Sequence, residues 1–281
     1  MRHRVAAFRN LLKIWLLFAI PAAGLGALGW RLGDYRLALL FGGSIVLLAA
    51  VLYWYADRIA MGMVGARELL PAEAPALHST LLGLSAKAGV VAPRLYLIPD
   101  GYPRALSAGR GARGGAAIAI SSGLLSFASP AELEGIVAHE LAHLRNRDVL
   151  VQTVAATLAA AIIDASRIGG WFQRGLLFVL APLAASFVHL ILSPGRELAA
   201  DRYAAELCDS PHGLADGLLR LEQAMGLVAF QASPATEPLY TTNPFAEEGL
   251  AAMFVTHPPL GERVRRLREL DEEWRDRLRA A

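Results

Sequence analysis

Long apolar runs alternate with mixed stretches along this chain, and the runs come in pairs. The first, Leu11 to Trp30, carries only Lys13 near its edge, and the second, Leu37 to Ala56, carries no charge. Each is close to the roughly 20 residues a helix needs to cross a hydrocarbon core of about 30 Å. Trp30, Tyr53, Trp54 and Tyr55 lie at the run ends, where amphipathic rings favour the membrane interface. Arg2, Arg4, Arg9 and Lys13 precede the first run without an acid, outweighing Arg31 and Arg36, which Asp34 offsets, in the short loop. That asymmetry places the N-terminus in the cytoplasm and returns the chain there at Asp57. A cleaved leader is the competing reading of the first run, since small residues fill 22–29. Its apolar stretch is long for that role and a second run follows at once, so an anchor is expected.

Two further runs, Val149–Ile168 and Leu176–Leu192, have spanning length. Asp164 within the first is expensive in lipid and has to face protein or water. Arg167 and Arg174 beside the connecting turn run mildly against the positive-inside rule. Elsewhere the pattern is globular. Ala74–Ala88 reads as a helix, Arg94–Ile98 and Ala116–Ser121 as short strands, and 99–115 as a loop rich in glycine, arginine and proline. The second strand is a candidate edge for an added substrate strand. Ser129-Pro130-Ala131-Glu132 has the form of a capping box with proline at the first helical position. The helix it opens gathers Leu133, Ile136, Val137, Leu141 and Leu144 on one face. Residues 231–256, with Pro234, Pro238 and Asn243-Pro244-Phe245, read as an irregular loop over the cleft. Beyond Pro259, Leu260, Val264, Leu267, Trp274 and Leu278 recur at the spacing of an amphipathic helix. The expected fold is α+β and mainly α-helical. Two transmembrane helices occupy 1–56, and a domain with a small sheet occupies 57–281, interrupted by a transmembrane pair at about 149–192.

Composition agrees with the pattern: 55% of residues are hydrophobic and 19% charged, against roughly 45–50% and 25% in soluble domains. A net charge of +2, with no basic cluster interleaved with aromatics, gives no argument for nucleic acid, and no nucleic-acid partner is expected. Cys208 is the single cysteine, so no intrachain disulfide forms, and it reads as a small hydrophobe.

Candidate chemistry begins on the capped helix, at His139-Glu140-Leu141-Ala142-His143. Residues four apart lie one turn above each other, so both imidazoles can reach one ion. Zinc held there lowers the pKa of a water to about 7 and polarises a carbonyl, and Glu140 can take the water's proton. The motif also occurs by chance, on helices where the histidines are only polar surface. A third ligand changes the balance. In Ser193-Pro194-Gly195-Arg196-Glu197-Leu198-Ala199-Ala200-Asp201, a helix from Pro194 puts Glu197 and Asp201 on one face. Glu197 is expected to bind the metal and Asp201 to accept the free N–H of a ligating histidine. Taken alone, two acids near a helix N-terminus need no more than the helix dipole. If His143 and Glu197 meet one ion, the chain between them crosses the membrane an even number of times. His189, deep in the last run, reads as a core histidine.

Several segments in order resemble one family. They are Glu73-Ala74-Pro75-Ala76-Leu77-His78, Ala105–Gly109, Ile118–Leu125, the His139 motif, Arg196-Glu197 through Ala200-Asp201, and Thr256-His257-Pro258-Pro259 followed by Arg263. Together they resemble the HtpX family of membrane zinc metalloproteases, relatives of the CAAX prenyl proteases, from the paired N-terminal runs to about residue 270. The resemblance implies a zincin-like (gluzincin) domain holding one Zn²⁺ per chain, in a multi-pass protein of the cytoplasmic (inner) membrane. It implies an active site facing the cytoplasm and protein or peptide substrates, membrane or misfolded proteins among them, in protein quality control. It further implies that His257 and Arg263 contact the substrate main chain or the oxyanion. A site-specific regulatory or processing protease and a non-catalytic zinc-binding membrane scaffold are the alternatives. No sensor domain is visible to favour the regulatory version, and Glu140 has no use in a structural site. Where the family carries an asparagine before the alanine of 103–109, this chain has Arg104, which either binds substrate carbonyls or faces solvent.

Overall fold

The computed structural model describes residues 2–146, 149–154, 156–157, 194–225 and 258–280. Helices α1 (Arg2–Leu32) and α2 (Tyr35–Met63) form an antiparallel hairpin. The Asp34 carboxylate caps α2 by accepting from the Arg36 amide at 2.7 Å. Small residues set the spacing: a Cβ on Gly29 would stand 2.5 Å from the Leu37 carbonyl oxygen. Among the described residues, α2 is the helix long and apolar enough to cross a membrane. Leu39, Leu40, Val46, Leu47 and Trp54 along it are exposed. An uncovered apolar surface of that extent calls for lipid or a partner.

The second helix continues past the expected boundary at Asp57. α2 runs on to Met63, because Asp57 is buried and pairs with Arg94 rather than ending the helix in solvent. Its last turns dock Ala60 and Met61 against Ile98, Leu106, Ala108, Ala117 and Ala119 on one face of the sheet.

The sheet has four strands, β1 (Arg67–Glu68), β2 (Arg94–Ile98), β3 (Ala105–Gly109) and β4 (Ala116–Ser121), in the order β1-β2-β4-β3. β2 and β4 are parallel, with Leu95 opposite Ile118; the two outer pairings are antiparallel. Two expectations are corrected here. Ala116–Ser121 is an inner strand, flanked by β2 and β3, so it offers no edge to a substrate. Within the expected 99–115 loop lies β3, whose Ala-Leu-Ser-Ala-Gly composition is a poor strand signal. It is held by its ladder to β4, and all five residues are buried.

Behind the other face of the sheet stand the helices that carry the chemistry. α3 (Pro75–Ala88) starts on proline and stops at Gly89, which takes the left-handed conformation at φ 65°. A short α4 (Ser122–Phe127) follows β4, and its first turn is capped by Ser121 Oγ accepting from the Leu124 amide. α5 (Pro130–Asn146) opens with a reciprocal capping box. The Ser129 amide donates to Glu132 Oε2 at 2.7 Å, and the Glu132 amide donates to Ser129 Oγ at 3.3 Å.

α6 (Pro194–Leu207), α7 (His212–Met225) and α8 (Leu260–Ala280) pack around α5 and each other. Gly135 lets α5 approach α7 so closely that a Cβ there would stand 2.5 Å from the Leu214 amide nitrogen. Ile136, Val137, Leu141 and Leu144 of α5 join Leu214, Leu218, Val264 and Leu267 in one core. Of the expected mid-chain pair, 149–154 and 156–157 are helical, and Leu150 and Val154 pack on Ala56 of α2. Asp164, Arg167, Arg174, His189, His257 and the 231–256 loop lie outside the described residues.

Candidate metal centre

Three helices converge on one buried point. α5 supplies His139, Glu140 and His143, α6 supplies Glu197 and Asp201, and α8 supplies Arg263. All six are between 0% and 2% exposed. Core packing of α5 therefore forces polar groups inward, where each needs a partner.

His139 Nε2 and His143 Nε2 lie 3.1 Å apart, and each lies 3.5 Å from Glu197 Oε2. A point equidistant from three atoms so spaced lies about 2 Å from each, the bond length zinc makes to imidazole nitrogen and carboxylate oxygen. The edges also match the roughly 3.3 Å between ligands of a tetrahedral ion at that bond length. These three residues form a cluster of the kind that can hold a metal ion. The donor set fits zinc: two neutral imidazoles and one carboxylate, leaving a fourth tetrahedral position to other ligands.

The groups around the triangle orient it. His139 Nδ1 lies 2.9 Å from Asp201 Oδ1. A carboxylate only accepts, so Nδ1 carries the proton and Nε2 presents its lone pair to the triangle. Arg263 holds Asp201 with a two-pronged grip, Nε donating to Oδ2 at 2.8 Å and Nη2 to Oδ1 at 2.7 Å. Burial pushes the Asp201 carboxyl up, but the Arg263 charge and hydrogen bonds, with the His139 bond, outweigh it and hold the group at about 2. Burial likewise pulls Arg263 down, and the Asp201 charge and hydrogen bond, then the charges of Glu197 and Glu140, raise it above its usual range. Glu140 thus lies within the field of this guanidinium. Arg196 Nη2 donates to Glu197 Oε1 at 3.2 Å, which leaves Oε2 turned toward the two histidines.

Of the residues marked in the sequence, the structure brings together His139, Glu140, His143, Glu197, Asp201 and Arg263. Arg104 is elsewhere explained: it is 7% exposed, pairs with Asp100 at 2.7 Å, and donates its amide to Ser121 Oγ at 2.9 Å. Its expected alternative as a solvent-facing side chain is therefore overturned, because the turn before β3 buries it against its own carboxylate partner. Arg196 was assigned no role from sequence. Its signal was adjacency, since a buried arginine beside a candidate ligand has a carboxylate oxygen to hold.

Known proteins are similar to this chain over most of its length. The model of "Peptidase family M48" matches residues 71–271. A "Protease HtpX homolog" of Pelotomaculum thermopropionicum is 38% identical over 276 residues, covering 92% of this chain and 98% of that protein. Another from Persephonella marina is 39% identical, covering 78% and 82%. One from Pyrococcus abyssi is 36% identical, covering 92% and 96%. The crystal structure of S. mikatae Ste24p aligns at a TM-score of 0.49 and 16% identity over 95% of this chain and 66% of that one, a likeness too distant to bear on mechanism. The described fold is mainly helical with a small mixed sheet, its buried histidine–glutamate cluster lies within the matched region, and the chain belongs to peptidase family M48, among the HtpX protease homologues.

Proposed function

We propose that this metalloprotease is an integral-membrane zinc endopeptidase in which His139, His143 and Glu197 hold one Zn²⁺ and Glu140 is the general base. The observation that carries the reading is the triangle of Nε2, Nε2 and Oε2 atoms with edges of 3.1, 3.5 and 3.5 Å. Bound zinc supplies a water that ionises near neutral pH and a Lewis acid for the scissile carbonyl. Glu140, one residue from a ligand and itself buried, takes the proton of the attacking water and returns it to the leaving amine. Asp201 fixes the His139 tautomer, and Arg263 fixes Asp201. Arg263 and His257 are also assigned to the developing oxyanion and the substrate main chain.

The active site faces the cytoplasm, and the substrates are membrane or misfolded proteins handled in quality control.

The test is zinc content and casein cleavage by detergent-purified protein, wild type beside Glu140→Ala. One zinc is expected in both, with chelator-sensitive and zinc-restored cleavage in the wild type alone. Absence of zinc in both would sink the reading. Cleavage surviving Glu140→Ala would remove Glu140 from the mechanism.

A further inference from the structure

A cavity of about 650 Å³ opens where the end of α2 meets the sheet, on a different part of the chain from the zinc triangle. One wall is apolar and belongs to the membrane-crossing part of α2: Leu47 and Val51 line it, and both are exposed. The other wall is cationic. Arg58 comes from α2, Arg94 from β2, and Arg110 from the turn between β3 and β4. Asp57 is the acid lining it, and Arg94 is paired with it. Among the described residues Arg58 and Arg110 make no ion pair, so the cavity carries two uncompensated positive charges.

Arg110 is built into place. Its guanidinium carbon lies 4.6 Å from the centre of the Trp54 ring and 5.7 Å from that of Tyr53. Its amide donates to the Gly115 carbonyl at 2.8 Å, and a Cβ on Gly115 would stand 2.3 Å from Arg110 Nε, so only glycine leaves room for it. Among the described residues Arg110 Nε is buried with no hydrogen-bond acceptor. Arg58 lies over Tyr55 at 5.7 Å. The aromatic residues sit at the end of the apolar run, the level at which phospholipid headgroups lie.

We infer that this cavity binds the phosphate of an anionic phospholipid, with the diester against Arg58 and Arg110 and an acyl chain along Leu47 and Val51. The two walls select the ligand: guanidinium forks match phosphate oxygens, and a continuous apolar face on α2 suits the tail, which free phosphate lacks. Basic pockets at the cytoplasmic ends of membrane helices take such headgroups by the same physics. The inference rests on the reading that α2 crosses the membrane.

The experiment is native mass spectrometry of the full-length detergent-solubilised protein titrated with dioleoylphosphatidylglycerol, dioleoylphosphatidylcholine or inorganic phosphate. Wild type is expected to retain one phosphatidylglycerol at least tenfold more tightly than phosphatidylcholine. At about fivefold per arginine, Arg58→Gln with Arg110→Gln abolishes that preference. Arg110→Lys, which keeps the charge and loses the planar fork on Trp54, falls between. Unchanged zinc content shows that the variants are folded. Equal phosphatidylglycerol affinity in wild type and the double variant overturns the inference, as does phosphate binding as tightly as the lipid. Carbonate extraction separates the two readings: protein that stays with the membrane but shows no lipid preference overturns this inference alone, and protein released into the wash overturns both.

Discussion

Replacing Asp201 with asparagine and Arg263 with glutamine tests whether these two residues act on zinc through one atom pair. Asp201 Oδ1 lies 2.9 Å from His139 Nδ1, and Arg263 reaches the site through bonds of 2.7 and 2.8 Å to the same carboxylate. Removing a carboxylate that orients a ligating histidine costs roughly 10–100-fold in metal affinity, or about 1.4–2.7 kcal/mol. Arg263→Gln removes the charge that holds Asp201 ionised and aimed, together with an Nη2 that lies 3.4 and 3.5 Å from His139 Nδ1 and Nε2, so it is expected to cost a similar factor. The double variant is expected to lose little further at His139, because the bonds of 2.7 and 2.8 Å from Arg263 to Asp201 are much closer than the approach of its Nη2 to the ring nitrogens at 3.4 and 3.5 Å. Its affinity is expected to stay within about threefold of the weaker single variant rather than to fall by the product of both. The assay is zinc competition against a chromophoric chelator on detergent-purified protein, for wild type, both singles and the double. Multiplicative losses, some 10³-fold or more in the double, would refute the linkage and shift the effect of Arg263 to its direct approach to His139.

Four further outcomes follow from local geometry. Gly135→Ala drives a Cβ to 2.5 Å from the Leu214 amide nitrogen and is expected to destabilise by about 1–3 kcal/mol. Gly83→Ala in α3, with nothing within 4 Å of the added methyl, gains up to about 1 kcal/mol of helix propensity; thermal melts of the pair in opposite directions are the check. Asp201 is held at about 2 against its ordinary 3.8, so its contribution is fully present above pH 3.8 and is lost as pH falls toward 2, about 2 kcal/mol in all. Metal-stripped wild type should lose that increment between pH 4 and 2, and Asp201→Asn should lack it; parallel acid profiles would contradict the assignment. Burial pushes the Cys208 thiol up to about 12, so the single cysteine is expected to resist maleimide at pH 7.5 in folded protein and to label fully in denaturant. Labelling of the folded protein within minutes would be the opposite result.

The parts legible in the sequence were those set by short-range chemistry. Ser129 and Glu132 announce the start of α5 because the capping box is local, and the i, i+4 spacing of His139 with His143, and of Glu197 with Asp201, carries the site's faces directly. What stayed hidden depends on pairing across distance. The partner of Arg263 lies 62 residues away, and no spacing rule connects α8 to α6. β3 escaped because Ala105–Gly109 has little strand propensity and becomes a strand only by lying against β4. Arg104 reads as an exposed cation, since charge normally means surface; the structure buries it on Asp100. Asp57 similarly looks like the point where the chain leaves the membrane, yet Arg94 neutralises it inside the junction and α2 continues.

The charges of the centre explain why these helices can bury so many polar groups. Glu140, Glu197 and Asp201 bring three carboxylates into the interior, and Arg196 and Arg263 bring two guanidinia. By formal charge, three carboxylates against two guanidinia leave this set one unit negative. Buried carboxylates are costly unless opposing charge is close, and each guanidinium is already directed to a carboxylate, Arg196 to Glu197 and Arg263 to Asp201. The surplus is of the sign that a divalent cation corrects. It is concentrated where Oε2 of Glu197 faces two nitrogen lone pairs at 3.5 Å. Because every donor stands on a helix packed into the core rather than on a loop, the packing of α5 against α6 sets the triangle. Mutations that reseat α5, such as Gly135→Ala where it meets α7, therefore act on the histidine–glutamate cluster through geometry even when they alter no candidate ligand.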